Sequence, residues 1–165
     1  MITSHDGVLD VKSEVGAGSE FTVFFPCTED ERGIADDPVL GVPRGREKIL
    51  FVDDEFDIVK MTASMLQYLG YTVFTATSGE KALEMLHGEA SDIDLVISDY
   101  SMPGMSGTDL AAEIIKISQD LPFILCSGFS ESVVLDENTK RVIRKFMSKP
   151  LDMKKLAVVI REVLS

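Results

Sequence analysis

The sequence Ile49-Leu50-Phe51-Val52-Asp53-Asp54-Glu55 is an apolar run that ends abruptly in three acidic residues. Three further short runs of this kind follow, and a polar residue comes directly after each one. They are Leu95-Val96-Ile97-Ser98 before Asp99, Phe123-Ile124-Leu125-Cys126 before Ser127, and Lys145-Phe146-Met147-Ser148 before Lys149. Short apolar runs separated by helical stretches are typical of parallel strands that are buried on both faces. The pattern therefore predicts one parallel sheet to which all four runs contribute strands.

Helical spacing of apolar residues predicts a helix after each strand, and Tyr71–Thr75 predicts a fifth strand at an edge of the sheet. The first apolar stripe consists of Ile58, Met61, Met65, Leu66 and Leu69. The predicted helix caps are Thr77 with Glu80, Ser106 with Asp109, Ser130 for a weaker helix, and Asp152. Five strands alternating with five helices predict an α/β fold, a flavodoxin-like doubly wound five-stranded parallel sheet.

The composition narrows the classes of partner. The formal net charge of -12 on 165 residues argues against non-specific binding to nucleic acid and against contact with an anionic membrane surface. No apolar stretch approaches the roughly 20 residues that span a bilayer. Two cysteines are too few for a disulfide framework, and we expect Cys126 to be a buried thiol. A reducing, cytoplasmic setting fits these features.

Three segments of the chain differ in pattern. Residues 1–26 contain two strand-like runs and predict a short β segment at the N-terminus. Residues 27–46 are acidic at their start and rich in proline and glycine towards their end, which predicts a linker. Residues 47–165 alternate strand and helix and form the predicted α/β domain.

The polar residues that follow the strands predict a functional site. The carboxyl ends of parallel strands meet at one edge of the sheet, so Asp53, Asp54, Asp99, Ser127 and Lys149 should converge there. Carboxylates about 4 Å apart repel by about 4 kcal/mol at an effective dielectric constant of 20, which favours a bound cation. Mg²⁺ fits best because it takes one or two carboxylates, keeps several waters and binds phosphate oxygens.

Each of these residues also has a plain structural interpretation. Asp53-Asp54-Glu55 could begin a helix, whose N-terminus favours acidic residues. Asp99 could cap a turn, Ser127 could belong to a turn, and Lys149 could be a surface lysine at a strand end. Their conjunction favours a site in which Asp99 is a nucleophile that forms an acyl phosphate. Lys149 would then be the point charge that neutralises a phosphoryl oxygen.

With these residues placed, residues 47–165 resemble a response-regulator receiver domain of two-component signalling. The matching motifs are Phe51-Val52-Asp53-Asp54-Glu55, Asp99 with Met102-Pro103-Gly104-Met105-Ser106-Gly107, Ser127-Gly128, and Lys149-Pro150. The resemblance implies that Asp99 is the phosphoacceptor. Its donor would be a phosphohistidine on a histidine kinase dimerisation domain or on a histidine phosphotransfer protein.

The same resemblance implies a ligand set for Mg²⁺. Asp54 and Asp99 would bind the metal directly, together with the backbone carbonyl of Ser101. Asp53 would bind it through a water molecule.

The remaining roles also follow from the resemblance. Ser127 would bind a phosphoryl oxygen and move on activation, while Lys149 would pair with the phosphoryl group. Phe146 takes the aromatic switch position, where many members carry tyrosine, so a latch that depends on a hydroxyl is ruled out. Ser101 and Phe129 would tune the lifetime of the phosphate. The peptide bond between Lys149 and its proline is expected to be cis.

Residues 1–26 resemble the tail of a histidine-kinase ATPase domain. The matching motifs are Ser4-His5-Asp6-Gly7, Ser13-Glu14-Val15-Gly16-Ala17-Gly18-Ser19 and Phe21-Thr22-Val23-Phe24-Phe25-Pro26. The upstream nucleotide-binding boxes and the phosphoacceptor histidine of that family are missing, so this fragment should not act as a kinase. The resemblance implies a hybrid sensor kinase that ends in its receiver and could be anchored in the inner membrane.

Two other functions compete with this interpretation. An aspartate-nucleophile phosphohydrolase would carry a second acid two residues after its nucleophile, where this chain has Ser101. A phosphorylation-independent interaction module would keep the fold without the chemistry, although every residue type that the chemistry needs is present. The sequence leaves open the choice between relay, phosphate sink and regulator of the attached kinase. It also leaves open a homodimer that pairs the strand edges of residues 1–26.

Overall fold

The computed structural model describes residues 8–14, 16, 18–24, 41–88, 92–128 and 139–165. These residues fall into two units, which divide between positions 40 and 41. The first unit contains an antiparallel hairpin of β1 (Val8–Glu14) and β2 (Gly18–Phe24). Gly16 and Gly18 adopt φ angles of 84° and 107° at the turn, a region that favours glycine. The predicted short β segment is therefore a hairpin.

The hairpin has one apolar face that is exposed. Side chains directly opposite each other in an antiparallel pair share a face, and the register pairs Leu9 with Val23 and Val11 with Phe21. All four are at least 41% exposed. An isolated two-stranded hairpin is marginally stable in water, so this face has the character of a surface that is normally covered.

The second unit contains a five-stranded parallel sheet. Its strands are β3 (Lys48–Val52), β4 (Thr72–Ala76), β5 (Leu95–Asp99), β6 (Phe123–Ser127) and β7 (Ile143–Ser148). They lie in the order β4-β3-β5-β6-β7, and every neighbouring pair is parallel. The predicted doubly wound sheet is confirmed, with the predicted edge strand β4 at one side.

Five helices cover the sheet within the described part of the chain. They are α1 (Phe56–Tyr68), α2 (Gly79–His87), α3 (Gly107–Ile117), α4 (Thr139–Val142) and α5 (Met153–Leu164). Alternate residues of β3 face opposite layers: Ile49 and Phe51 pack with α1 and α5, while Leu50 and Val52 pack with α2 and α3. None of these helices has the length and apolar character needed to cross a bilayer.

The predicted helix caps can be compared with the structure one at a time. The Ser106 and Asp109 capping box is present, and the Asp152 side chain accepts a hydrogen bond from the Lys155 backbone N–H at 2.9 Å. The prediction of Thr77 as the cap of α2 was wrong, because extended Ser78 accepts from the N–H three residues later. The helix predicted from Ser130 lies outside the described residues.

Candidate functional site

Three of the predicted site residues meet at the carboxyl edge of the sheet. Asp53 follows β3, Asp99 ends β5 and Lys149 follows β7. The Nζ atom of Lys149 lies 2.7 Å from Oδ2 of Asp53 and 2.8 Å from Oδ1 of Asp99. Residues separated by 96 positions are thus joined by one ammonium group. This convergence is what the parallel topology predicted.

Both carboxylates are removed from solvent. Asp53 is 0% exposed and Asp99 is 5% exposed. Each uses its second oxygen to accept a backbone hydrogen bond: Oδ1 of Asp53 from the Glu55 N–H at 3.0 Å, and Oδ2 of Asp99 from the Ser101 N–H at 3.1 Å. A buried carboxylate is costly without partners, so these bonds and the ammonium stabilise and orient the pair.

Electrostatics distinguish the polar groups at this edge. Burial alone would lower the pKa of Lys149, but its hydrogen bonds to Asp53 and Asp99 outweigh burial and leave that pKa above its ordinary value. Lys149 is therefore a permanent cation at neutral pH. Burial raises the pKa of the neighbouring Cys126 thiol to about 12, only partly offset by Lys149. The thiol is buried as predicted, and it stays protonated and unreactive.

Backbone contacts fix the strand ends around the site. The Tyr100 N–H donates to the Cys126 carbonyl at 2.8 Å, and the Lys149 N–H donates to the Ser127 carbonyl at 2.9 Å. The predicted cis peptide bond is present between Lys149 and Pro150. The adjoining strand ends and loops are therefore tied together by main-chain hydrogen bonds.

Gly107 supports the site, a role that the sequence analysis did not assign to it although it lies in the motif that follows Asp99. A Cβ atom at this position would collide with the backbone carbonyl of Asp99 and lie 2.6 Å from Leu125. The N-terminus of α3 can therefore approach the end of β5 only because residue 107 is glycine. The available signal was a glycine directly after a predicted helix cap, where it has no turn to form.

The other predicted residues lie around this cluster rather than in it. The side chain of Asp54 is exposed, as is that of Ser101, and Ser127 is half-buried. Phe146 is 52% exposed on β7. Phe129 lies outside the described residues.

The carboxylates at this edge are oxygen donors, the chemical type that suits a hard divalent cation. Within the described residues, no group of three or more His, Cys, Asp or Glu side chains is arranged to hold a metal ion. The two buried carboxylates share one ammonium, which leaves a net charge of -1, and the carboxylate of Asp54 lies next in sequence. Oxygen donors with surplus negative charge are what Mg²⁺ prefers.

Comparisons with known proteins identify relatives of this chain. The family model described as the response regulator receiver domain matches residues 49–161. The sensor kinase CckA of Brucella abortus is 34% identical over 174 residues, which cover 99% of this chain. The chain spans only 18% of that kinase.

Two solved structures have the same fold. The receiver domain from the hybrid histidine kinase CckA is 34% identical, with a TM-score of 0.59 over 72% of this chain and 99% of that one. The response regulator TrrA from Thermotoga maritima, solved in complex with Mg²⁺-BeF, is also 34% identical. Its TM-score is 0.62 over 72% of this chain and 99% of its own.

The family match covers nearly all of the second unit, with its five-stranded sheet, its helices and the carboxyl edge described above. The relatives include both response regulators and a hybrid histidine kinase. A module that has lost the signalling chemistry is not favoured by these relatives. The chain belongs to the response regulator receiver domain family and acts in two-component phosphorelay signalling.

Proposed function

We propose that Asp99 accepts a phosphoryl group from a phosphohistidine on a histidine kinase dimerisation domain or a phosphotransfer protein. The observation that carries the proposal is the ammonium of Lys149, which lies between Asp53 and Asp99 at the carboxyl edge. A cation beside a buried carboxylate can balance the charge that an incoming phosphoryl group brings. No other described feature of the unit combines these groups.

The chemistry is a transfer between two nucleophiles. A carboxylate oxygen of Asp99 attacks phosphorus in line, the P–O bond forms, and the P–N bond to the imidazole breaks. The imidazole leaves with the electron pair of that bond. Lys149 neutralises a phosphoryl oxygen, and the Ser101 N–H orients the carboxylate through its 3.1 Å hydrogen bond. Positioning and electrostatic stabilisation are the main contributions that the protein makes to such a step.

Mg²⁺ is the proposed cofactor. Asp54, Asp99, the backbone carbonyl of Ser101 and, through water, Asp53 would hold it. When bound, the metal would supply further neutralisation of the phosphoryl oxygens. The relative TrrA was solved in complex with Mg²⁺-BeF, which supports this assignment.

The proposed switch residues surround the cluster. Ser127 would donate its hydroxyl to a phosphoryl oxygen, and Phe146, exposed on β7, would change its environment as Ser127 moves. Ser101 and Phe129 would control the approach of a hydrolytic water molecule.

The first unit is the proposed remnant of another domain. We assign residues 1–26 to the tail of a histidine-kinase ATPase domain, residues 27–46 to a linker and residues 47–165 to the receiver. The exposed apolar face of the hairpin supports this, as does the alignment of a sensor kinase with 99% of the chain. The parent would be a hybrid sensor kinase, with this part in the cytoplasm, and the fragment itself would have no kinase activity.

The test is intact mass spectrometry after incubation with Mg²⁺ and acetyl phosphate. We expect one added phosphoryl group that requires Mg²⁺ and is absent in Asp99→Asn. Asp120→Asn is the matched control, because Asp120 is exposed and lies before β6. Unchanged labelling of Asp99→Asn would disprove the assignment of the phosphoacceptor.

A further inference from the structure

Residues 41–47, which we call the strap, form the start of the second unit and lead into β3. Val42 packs against the core cluster between the sheet and helices α1 and α5. The guanidinium of Arg44 lies 5.2 Å from the centre of the Tyr68 ring, within the range of a cation–π contact. The strap is thus attached to the C-terminal end of α1.

The middle of the strap is in close backbone contact with the residues that directly follow α1. The Gly45 N–H donates to the Leu69 carbonyl at 3.1 Å. Gly70 has a φ of 99°, and a Cβ atom there would lie 2.5 Å from the Gly45 carbonyl oxygen. A Cβ atom on Gly45 would in turn collide with Glu47 and with the Tyr71 ring. Glycine at both positions therefore allows the two backbones to approach this closely.

An ion pair with α5 holds the end of the strap. Oε1 of Glu47 lies 2.7 Å from Nη2 of Arg161, whose guanidinium is 5.7 Å from the ring centre of buried Tyr71. Burial would raise the pKa of Glu47, but contact with Arg161 and with backbone N–H groups lowers it overall. Burial likewise acts to lower the pKa of Arg161, and its contact with Glu47 raises it. Both partners are therefore charged at neutral pH.

Helix α5 connects this ion pair to the candidate site. The helix begins after Asp152, three residues beyond Lys149, and its 12 residues span about 18 Å. Its N-terminal end directly follows the chain segment that contains Lys149, which pairs with Asp53 and Asp99. Its last turn contains Arg161. A hydrogen-bonded helix of this length moves as a rigid element.

We propose that the strap is a coupling element, which α5 loosens when a phosphoryl group reaches Asp99. The proposal rests on the function proposed above. Lys149 must leave part of its present pairing to meet the phosphoryl group, and α5 follows the displacement of the segment that precedes it. In the present arrangement Arg161 pairs with Glu47 at the end of the strap, so a shift of Arg161 away from Glu47 weakens the attachment of the strap. The chain that enters at residue 41 is then held less firmly.

Amide hydrogen exchange of the full chain tests the proposal, with and without Mg²⁺ and beryllofluoride. We expect the strap amides, Gly45 above all, to be protected in the wild type. Mg²⁺ with beryllofluoride should raise their exchange rates by roughly 5- to 30-fold, the ratio that corresponds to the loss of one or two such contacts. Arg161→Ala should show the fast rate in both conditions, and Arg161→Lys should keep part of the protection. Arg144→Ala, which removes an exposed arginine from β7, should behave like the wild type.

For each variant we record the protection of the β5 amides. We also follow the binding of beryllofluoride by ¹⁹F NMR. A variant that has lost the fold would lose protection in β5 as well, and Arg161→Lys then serves in place of Arg161→Ala. Strap amides that exchange like a free peptide in the wild type would overturn the proposal. So would beryllofluoride that binds and leaves the strap unchanged. A failure of beryllofluoride to bind would instead contradict the proposed function, and the coupling would fall with it.

Discussion

Replacing Lys149 by methionine removes the charge that joins Asp53 and Asp99 while keeping a side chain of similar length. The two carboxylates are 0% and 5% exposed, so water cannot replace the ammonium without a rearrangement. Removal of one partner from a buried ion pair costs about 3–5 kcal/mol. The Lys149 side chain is 19% exposed and some screening remains, so we expect Lys149→Met to lower the free energy of unfolding by about 3 kcal/mol at neutral pH.

The pH dependence of this loss has a definite sign. In the wild type, the pKa of Lys149 lies above its ordinary 10.5. Its contribution is therefore complete below that value and is lost only as the pH rises through the folded pKa.

Urea unfolding followed by circular dichroism measures the effect, with and without Mg²⁺. The divalent ion should stabilise Lys149→Met more than the wild type, because it supplies the counter-charge that the variant lacks. Lys154→Met, an exposed lysine of α5, is the matched control and should stay within about 0.5 kcal/mol of the wild type. If Lys149→Met is as stable as this control at neutral pH, the buried carboxylates do not depend on the ammonium and the electrostatic account is wrong.

Two further substitutions test the packing around the site. Thr62 of α1 is fully buried, and its hydroxyl has no hydrogen-bond partner among the described residues. We therefore expect Thr62→Val to raise the free energy of unfolding by about 1 kcal/mol. A less stable variant would mean that the hydroxyl has a partner. Gly107→Ala should lower the free energy of unfolding by about 1–3 kcal/mol, because its methyl group would meet the Asp99 carbonyl. A methyl group at Gly128 would lie in open space, so Gly128→Ala should leave the stability in the same urea titration nearly unchanged. Equal stability of the two alanine variants would contradict the close approach of α3 to β5.

The sequence was most informative where topology determines position. Parallel strands bring their carboxyl ends to one edge regardless of the loops between them, which is why Asp53, Asp99 and Lys149 could be placed together in advance. It was less informative about side-chain direction within an element. The predicted stripe of α1 included Met61, which is 48% exposed, while buried Val59 and Thr62 were not predicted. Hydrophobicity alone favoured the methionine over the threonine, although the helix turns the shorter side chain inward.

Contacts between distant segments were the other part that could not be predicted. The proline and glycine content of residues 27–46 is typical of a linker, and nothing local indicates that Gly45 meets Gly70 or that Glu47 meets Arg161. The exposed position of Asp54 also depends on how the residues after β3 turn into α1, which neighbouring apolar spacing does not encode. These features are properties of the assembled unit.

The pairing of Lys149 indicates how little the site must change in order to signal. One ammonium already pairs with two carboxylates. Phosphorylation of Asp99 converts one of these carboxylates into an acyl group that bears an anionic phosphate, so the phosphate takes the place of Asp99 as an acidic partner of Lys149. The ammonium need not be recruited from solvent, because its hydrogen bonds to Asp53 and Asp99 raise its pKa and hold it charged and close. For the ammonium to pair with Asp53 and the phosphate, the residue that directly precedes the turn into α5 must move only a small distance. A small displacement of one end of a rigid helix also displaces the other end, where Arg161 holds the strap. Hydrogen exchange of the strap amides is designed to detect that step.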